Sequence, residues 1–526
     1  MAVAARRTGD SRAWRVWPAA ACVRFAPVTD TPSRSGPPRR GRARTAGRPA
    51  DRTRRGDPAR LAAYTVLRAV DQGGYANLEL PAELRKRRLG GRDAAFATEL
   101  TYGAIRLQGT YDRIIAVAAQ RPIERIDPNV RDVLRLGAHQ ALSMRVPAHA
   151  AADQSVGLAR QVTGAGAAGL VNAVMRVISA QDLPGWLDRL TAEAADPLAR
   201  VAIRHAHPEW VVRALRQALL GHGAATPATI EGELEALLAA DNEPPEVVLV
   251  ARPGLAERAE LAAAGAVPHP HVPTAAVLPG GDPGDLAAVR QGRAAVQDGG
   301  SQVVASTLAA LAREGVGSGP GGRERWLDLC AGPGGKAGLS AAYALEAGAD
   351  LVANEVAPHR ADLVTKTLAA AAQRAEDLDL SLTVRVGDGL EVGREEPAAY
   401  DRILVDAPCT GLGALRRRPE ARWRRTPGDL ASLTPLQWGL LGGAITALAP
   451  GGVLVYATCS PHLAETRFLV DDVVKAHPEV ELEDARPAVA AVTEGWGDAL
   501  GSGPTVQLWP HRHGIDGMFL AVLRRR

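Results

Sequence analysis

The chain has 526 residues, 46% of them hydrophobic, and a formal net charge of +4, a length that allows two to four domains with substantial cores. The net charge hides an asymmetry: residues 1–56 hold 14 Arg against 3 Asp, a surplus of +11, so residues 57–526 sum to −7. Four Cys without a Cys-x-x-Cys pair exclude a disulfide scaffold and a Cys-rich zinc site, and the longest uncharged run, 430–464, is broken by Pro and Gly into pieces too short to cross a bilayer.

Residues 1–56 are rich in Arg, Pro, Gly, Thr and Ser without periodicity and are expected to be a disordered leader. An arm for RNA phosphates, an organellar transit peptide and a dispensable extension from a mis-chosen start all fit that composition. The skew of 58 Arg to 4 Lys (Lys86, Lys336, Lys366, Lys475) is of the kind that coding bias produces, so the basic pI says little about nucleic acid. Residues 57–183 read as all helical. Asp57-Pro58 supplies an N-cap and a first-turn Pro. Leu61, Tyr64, Leu67 and Val70 recur at helical spacing, and similar stripes cover 94–107, 130–142 and 150–162. Residues 184–295 show one helix, 210–220, and a strand-like piece, Val247-Val248-Leu249-Val250, which predict a small α/β connector.

From residue 296 strands and helices alternate. Strand 326–330 runs into the turn Ala331-Gly332-Pro333-Gly334-Gly335 and a helix from Lys336. Later strands end at Asn354-Glu355, at Gly387-Asp388-Gly389, at Asp406-Ala407-Pro408-Cys409 and at Thr458-Cys459-Ser460. The alternation predicts a doubly wound, mostly parallel α/β sheet of Rossmann-like type over 296–526, with ligands at the carboxyl ends of its strands.

The residues at those ends suggest a chemistry. The Gly turn lets backbone approach a ligand at a helix N-terminus. It is not a Walker A loop, because Cys330 and Ala337 stand where Gly and Ser/Thr are required. Glu355, 20 residues past Gly335, is placed for ribose hydroxyls, and Asp388 for an adenine or simply for a turn. Together they point to a bound adenosine moiety, either a dinucleotide or S-adenosylmethionine. Cys409 and Cys459 follow adjacent-looking strands and are expected to face one crevice, with Lys336 beside it. Cytosine C5 accepts a methyl group only after a thiolate adds at C6, a general acid such as Asp406 assists at N3, and a base later removes the C5 proton. Two thiols and one Asp supply those parts, and chemistry alone leaves open which thiol attacks.

With these residues in view, the C-terminal part resembles the Sun/Fmu (RsmB-like) family of RNA cytosine-C5 methyltransferases. The match rests on Leu327-Asp328-Leu329-Cys330-Ala331-Gly332-Pro333-Gly334-Gly335-Lys336, Asp406-Ala407-Pro408-Cys409-Thr410-Gly411-Leu412-Gly413 and Thr458-Cys459-Ser460-Pro461, joined by Arg416-Arg417-Arg418-Pro419-Glu420 and Gln297-Asp298-Gly299-Gly300-Ser301-Gln302. The resemblance implies S-adenosylmethionine as cofactor and Cys459 as nucleophile, with Cys409 assisting release of the product. It places Cys330, Ala331, Gly332, Pro333, Gly334, Gly335, Lys336, Glu355, Asp388 and Asp406 at the cofactor and target base. Glu355 departs from the family's more usual Asp, Gly300 from a usual Ser, and Gly514-Ile515-Asp516-Gly517-Met518-Phe519 differs at two places from the closing motif. Residues 92–103 and Tyr75-Ala76-Asn77 resemble the NusB-like RNA-binding domain of the small-subunit rRNA members, and His207-Pro208-Glu209-Trp210 and Asn242-Glu243-Pro244-Pro245 resemble their connecting region.

The reading that follows is a cytoplasmic, monomeric, metal-free enzyme that methylates 16S rRNA. A tRNA or other cytosine-C5 methyltransferase keeps the chemistry and changes the substrate. A NusB-type RNA-binding factor with an inactive methyltransferase domain is the third reading, and the intact Cys409, Cys459, Asp406 and Gly turn argue against it. Arg416, Arg417, Arg418, Arg422, Arg424 and Arg425 are expected to form a phosphate-binding stripe beside the site. The target base is expected to be unpaired or flipped, because C6 is closed to attack inside a stacked duplex.

Overall fold

The computed structural model describes residues 57–526 other than 195 and 314, so the Arg-rich leader and the expectations placed on it lie outside the described residues. The first helix, Pro58–Asp71, begins as its sequence predicts, with the Asp57 carboxylate accepting the Arg60 N–H at 2.9 Å. The three apolar stripes become helices Gly91–Arg106, Pro128–Leu142 and Ala148–Val162. Helices Ala76–Arg87, Gln108–Ala119, Ala168–Ile178 and Leu183–Ala192 complete this all-helical part. Leu67, Leu100, Tyr111, Ile114, Leu134, Val171 and Trp186 close on one another in its core. Among the described residues no helix is long and apolar enough to cross a membrane.

The connector is larger than its sequence suggests. The expected helix is Glu209–Gly221, but Pro197–Arg204 precedes it and Ile230–Ala240 follows. The first spans only eight residues, too few to sustain a stripe, whereas the second carries one, Ile230, Leu234, Leu237 and Leu238, that is legible in the sequence. The strand-like piece is strand β1 (Val247–Ala251), joined by β2 (Val267–Pro268), β3 (Ala275–Leu278) and β4 (Ala294–Val296) in an antiparallel sheet of order β2-β3-β1-β4.

The five alternating strands are β5 (Arg325–Asp328), β6 (Asp350–Glu355), β7 (Leu382–Val386), β8 (Tyr400–Asp406) and β9 (Leu448–Thr458), parallel in the order β9-β8-β5-β6-β7. Ile403, Leu404 and Val405 are fully buried, as central strands covered on both faces must be. Three strands outside the alternation, β10 (Val480–Glu483), β11 (Val506–Gln507) and β12 (Phe519–Arg525), extend the sheet antiparallel past β9. β5 pairs with β6 on one side and β8 on the other. The chain direction of winding reverses there, and the crevice lies outside the carboxyl ends at that point.

Candidate active site

The Gly-rich turn is held by the strand next to it. The Gly332 N–H donates to Glu355 Oε2 at 3.1 Å and the Ala357 N–H to Glu355 Oε1 at 3.0 Å, while Arg360 lies 3.5 Å from the same carboxylate. Glu355 is buried at the end of β6. A Cβ on Gly332 would strike that carboxylate and force it to move, and Gly334, at φ +113° with Thr367 where a side chain would go, requires glycine. Asn354 ties three strand ends together, donating to Leu329 O at 3.0 Å and Gly387 O at 3.1 Å and accepting from Arg385 Nε at 2.9 Å. Asp388 lies exposed on the next loop and accepts the Leu390 N–H at 3.0 Å, shaping the turn.

The two cysteines meet. Cys409 and Cys459 follow the adjacent parallel strands β8 and β9, and their Sγ atoms are 3.3 Å apart. The loop between Asp406 and Gly413 is pinned beside Cys459 by Gly413 N–H to Cys459 O at 2.8 Å and by Gly517 N–H to Gly413 O at 2.7 Å. Facing the thiols, Lys336 Nζ donates to Asp406 Oδ2 at 2.8 Å and to Ser301 Oγ at 3.3 Å. Burial works against the Lys336 ammonium, but the Asp406 carboxylate outweighs it and holds its pKa above the ordinary lysine value.

The thiols are electrostatically unequal. The hydrogen bond from Cys409 holds the Cys459 pKa below that of an ordinary thiol, against burial, with Arg418 and Lys336 adding to the effect. The same hydrogen bond, with burial, pushes Cys409 well up. Cys330 is pushed far up by burial and by the acids Asp328 and Asp406, which makes it an inert thiol. Asp328, fully buried at the end of β5, has its pKa pushed up to about 7, first by burial and then by Asp406. Neither of its oxygens makes a hydrogen bond of good geometry, although the Cys330 N–H lies against it. A buried acid left so poorly met beside a Gly turn, with Glu355 and Asp406 on either side, suits a ligand that brings both positive charge and hydroxyls. S-adenosylmethionine, with its ammonium, sulfonium and ribose, fits that donor set.

The Arg run requires correction. Arg422 is fully buried and donates to Asn242 Oδ1 at 2.7 Å, to Asp241 O at 2.9 Å and to the carbonyls of Ala206 and Arg106. It joins the catalytic sheet to the connector and the helical part. Arg416 is buried against Asp516, at 2.9 Å, and Gly514 O. Arg422 does not reach solvent and Arg416 barely does, and the guanidiniums of both are taken up by these partners, which removes them from a phosphate-binding stripe. Arg417 bridges Asp516 and Asp298 at 2.8 and 2.6 Å. Arg424 donates to Val70 O and Gly74 O and lies over the Tyr75 ring, and Arg425 pairs with Asp429 at 3.0 Å. Arg418 alone of the six is exposed. In sequence, a guanidinium that satisfies buried carbonyls looks the same as one that waits for phosphate.

One residue the motifs did not mark is Glu465, fully buried and bonded to both cysteine loops. The available signal was its position: it is the first charge after the long uncharged run 430–464, six residues past Cys459.

Comparison with known proteins agrees with this arrangement. Residues 319–524 match the family model described as 16S rRNA methyltransferase RsmB/F, and residues 57–180 match that of the NusB family. Rv1407 of Mycobacterium tuberculosis, which carries the name methyltransferase, is 51% identical over 473 residues, 89% of this chain and 97% of its own. The ribosomal RNA small subunit methyltransferase B of Thermus thermophilus is 33% identical over 472 residues, 90% of this chain and 98% of its own. The crystal structure of PH0851, 20% identical, covers 89% of this chain and 99% of its own with a TM-score of 0.71 and shares the fold. Both the catalytic sheet and the helical part in front of it are thus accounted for, and the chain belongs to the RsmB/F family of 16S rRNA methyltransferases.

Proposed function

We propose that this S-adenosylmethionine-dependent rRNA methyltransferase methylates C5 of a cytosine in 16S rRNA through a covalent bond between Cys459 and C6 of the base. The observation that carries the reading is the pair of thiols 3.3 Å apart, facing the Lys336–Asp406 ion pair at the ends of neighbouring strands. The Gly332–Gly335 turn, Glu355, Asp388 and Asp328 are the groups that would hold the cofactor. When bound, S-adenosylmethionine supplies an electrophilic methyl group on a sulfonium.

The chain's own groups do the rest. Cys459, the thiol of lower pKa, adds to C6 as the thiolate and makes C5 electron-rich. Asp406 hydrogen-bonds the polar edge of the base; the proton that N3 takes up during addition comes from Lys336 through Asp406 and returns by the same route once C5 has taken the methyl group. After C5 is methylated a base removes the C5 proton, the electron pair of that bond restores the C5–C6 double bond, and Cys459 leaves. Cys409, whose thiol stays protonated, sits within reach of the departing sulfur and assists that release.

The test is transfer of labelled methyl from S-adenosylmethionine to unmodified 16S rRNA, with nucleoside analysis. 5-Methylcytidine is the expected product. Label in tRNA or DNA but not in 16S rRNA would overturn the substrate and keep the chemistry, and no label in any of them would revive an RNA-binding role without catalysis. Gly332→Ala is expected to weaken S-adenosylmethionine binding at least about tenfold, because the new Cβ displaces Glu355. Calorimetric titration reads this directly, and wild-type affinity in that variant would remove the Gly turn from the cofactor site.

A further inference from the structure

We infer that Glu465 is a positioning residue that clamps the two cysteine loops together and so sets the distance between the thiols; the inference rests on the reaction proposed above for Cys459. Glu465 is fully buried in the loop that follows β9. Its Oε1 accepts the Thr410 backbone N–H at 2.8 Å and the Gln437 amide at 3.1 Å. Its Oε2 accepts the Ser460 hydroxyl at 2.7 Å and the Thr410 hydroxyl. Thr410 follows Cys409 and Ser460 follows Cys459, so each loop is gripped at the residue next to its thiol. Gln437, on helix Leu430–Ala447, also donates to Pro408 O at 2.8 Å and braces the Cys409 loop from its other side. The Tyr456 hydroxyl donates to the Glu465 carbonyl at 2.9 Å, which fastens the clamp to β9.

A carboxylate offers about four acceptor sites, and here all are filled by donors from three separate elements. Burying such a group is unfavourable unless its lone pairs are met, and an apolar side chain would pack the same space without that penalty. The link to chemistry is the Sγ–Sγ distance of 3.3 Å. The hydrogen bond across it is the first cause of the inequality between the thiols, and it weakens as soon as one loop shifts against the other.

The experiment is Glu465→Gln in the full chain. An amide nitrogen in place of one oxygen repels two of the four donors while keeping the volume. The pH profile of Cys459 alkylation by iodoacetamide, followed by mass spectrometry of the Cys459 peptide, is expected to move to higher pH. Displacement of the nucleophile is expected to lower kcat about 100-fold, with KM for S-adenosylmethionine changed less than about threefold. Ser460→Ala and Thr410→Val each remove one hydroxyl donor and should move the alkylation profile in the same direction by less, which keeps the test decisive if the Gln variant does not fold. A folded Glu465→Gln or Ser460→Ala protein with the wild-type profile and wild-type kcat overturns the positioning role. Alkylation needs no RNA. If the wild-type enzyme makes no 5-methylcytidine while the profile still moves in the variants, the proposed reaction falls and the clamp stands.

Discussion

Cys459→Ser is expected to lower methyl transfer by at least about 10⁴-fold and to abolish any denaturant-stable protein–RNA adduct. A serine hydroxyl has no accessible anion near neutral pH, and the neighbouring Cys409 thiol is pushed well up by the hydrogen bond it makes and by burial. Cys409→Ala is expected to do the opposite to the adduct. Addition still proceeds through Cys459, release slows, and the covalent complex with RNA accumulates on a denaturing gel while turnover falls. The two outcomes differ because the thiols, although 3.3 Å apart, are unequal: the hydrogen bond from Cys409 and then Arg418 and Lys336 lower the Cys459 pKa, and the two cations still act on Cys459 in Cys409→Ala. Accumulation of adduct in Cys459→Ser, or its loss in Cys409→Ala, would exchange the two roles.

Arg422→Ala is expected to destabilise the protein by about 3–5 kcal/mol and to leave RNA affinity of the remaining folded protein within about twofold of wild type. The guanidinium meets Asn242 Oδ1 and the carbonyls of Arg106, Ala206 and Asp241 with no exposure to solvent. Its removal strands buried acceptors at a junction of three parts of the chain. Trp423, next to it, donates to Ile105 O at 2.7 Å and packs on Gly109, where any side chain would collide with the indole ring, so the helical part and the sheet share one interface. Thermal unfolding and a salt titration of RNA binding read the two effects apart. A variant that melts like wild type yet loses RNA affinity and salt dependence would return Arg422 to the phosphate-binding stripe.

Some of this architecture is legible without coordinates because its physics is local. An Asp-Pro start at Asp57, an apolar stripe such as 130–142 and the strand–helix alternation after 296 depend on residues near one another in the chain, and each forms where expected. The placement of Cys409 and Cys459 at the ends of neighbouring strands was also readable, since parallel alternating strands put their carboxyl ends on one edge. Helix Pro197–Arg204 of the connector was not, because eight residues sustain no period, although Ile230–Ala240 does carry a stripe at Ile230, Leu234, Leu237 and Leu238. Neither were β10, β11 and β12, which pair antiparallel with partners far away in sequence and lie outside the alternation.

The amino-acid sequence by itself determined the fold class, the family, and the placement of the two thiols and the Gly turn at strand ends, because motif residues there have a fixed relation to the backbone that carries them. Only the tertiary structure decided which charges are free. Six arginines in one short stretch look alike in sequence, yet two are buried among carbonyls and carboxylates and one is exposed. An unremarkable Glu465 turned out to bond both thiol loops. The role of a polar side chain depends on which distant partners the fold brings within about 3 Å, and that distance is set by packing rather than by position along the chain.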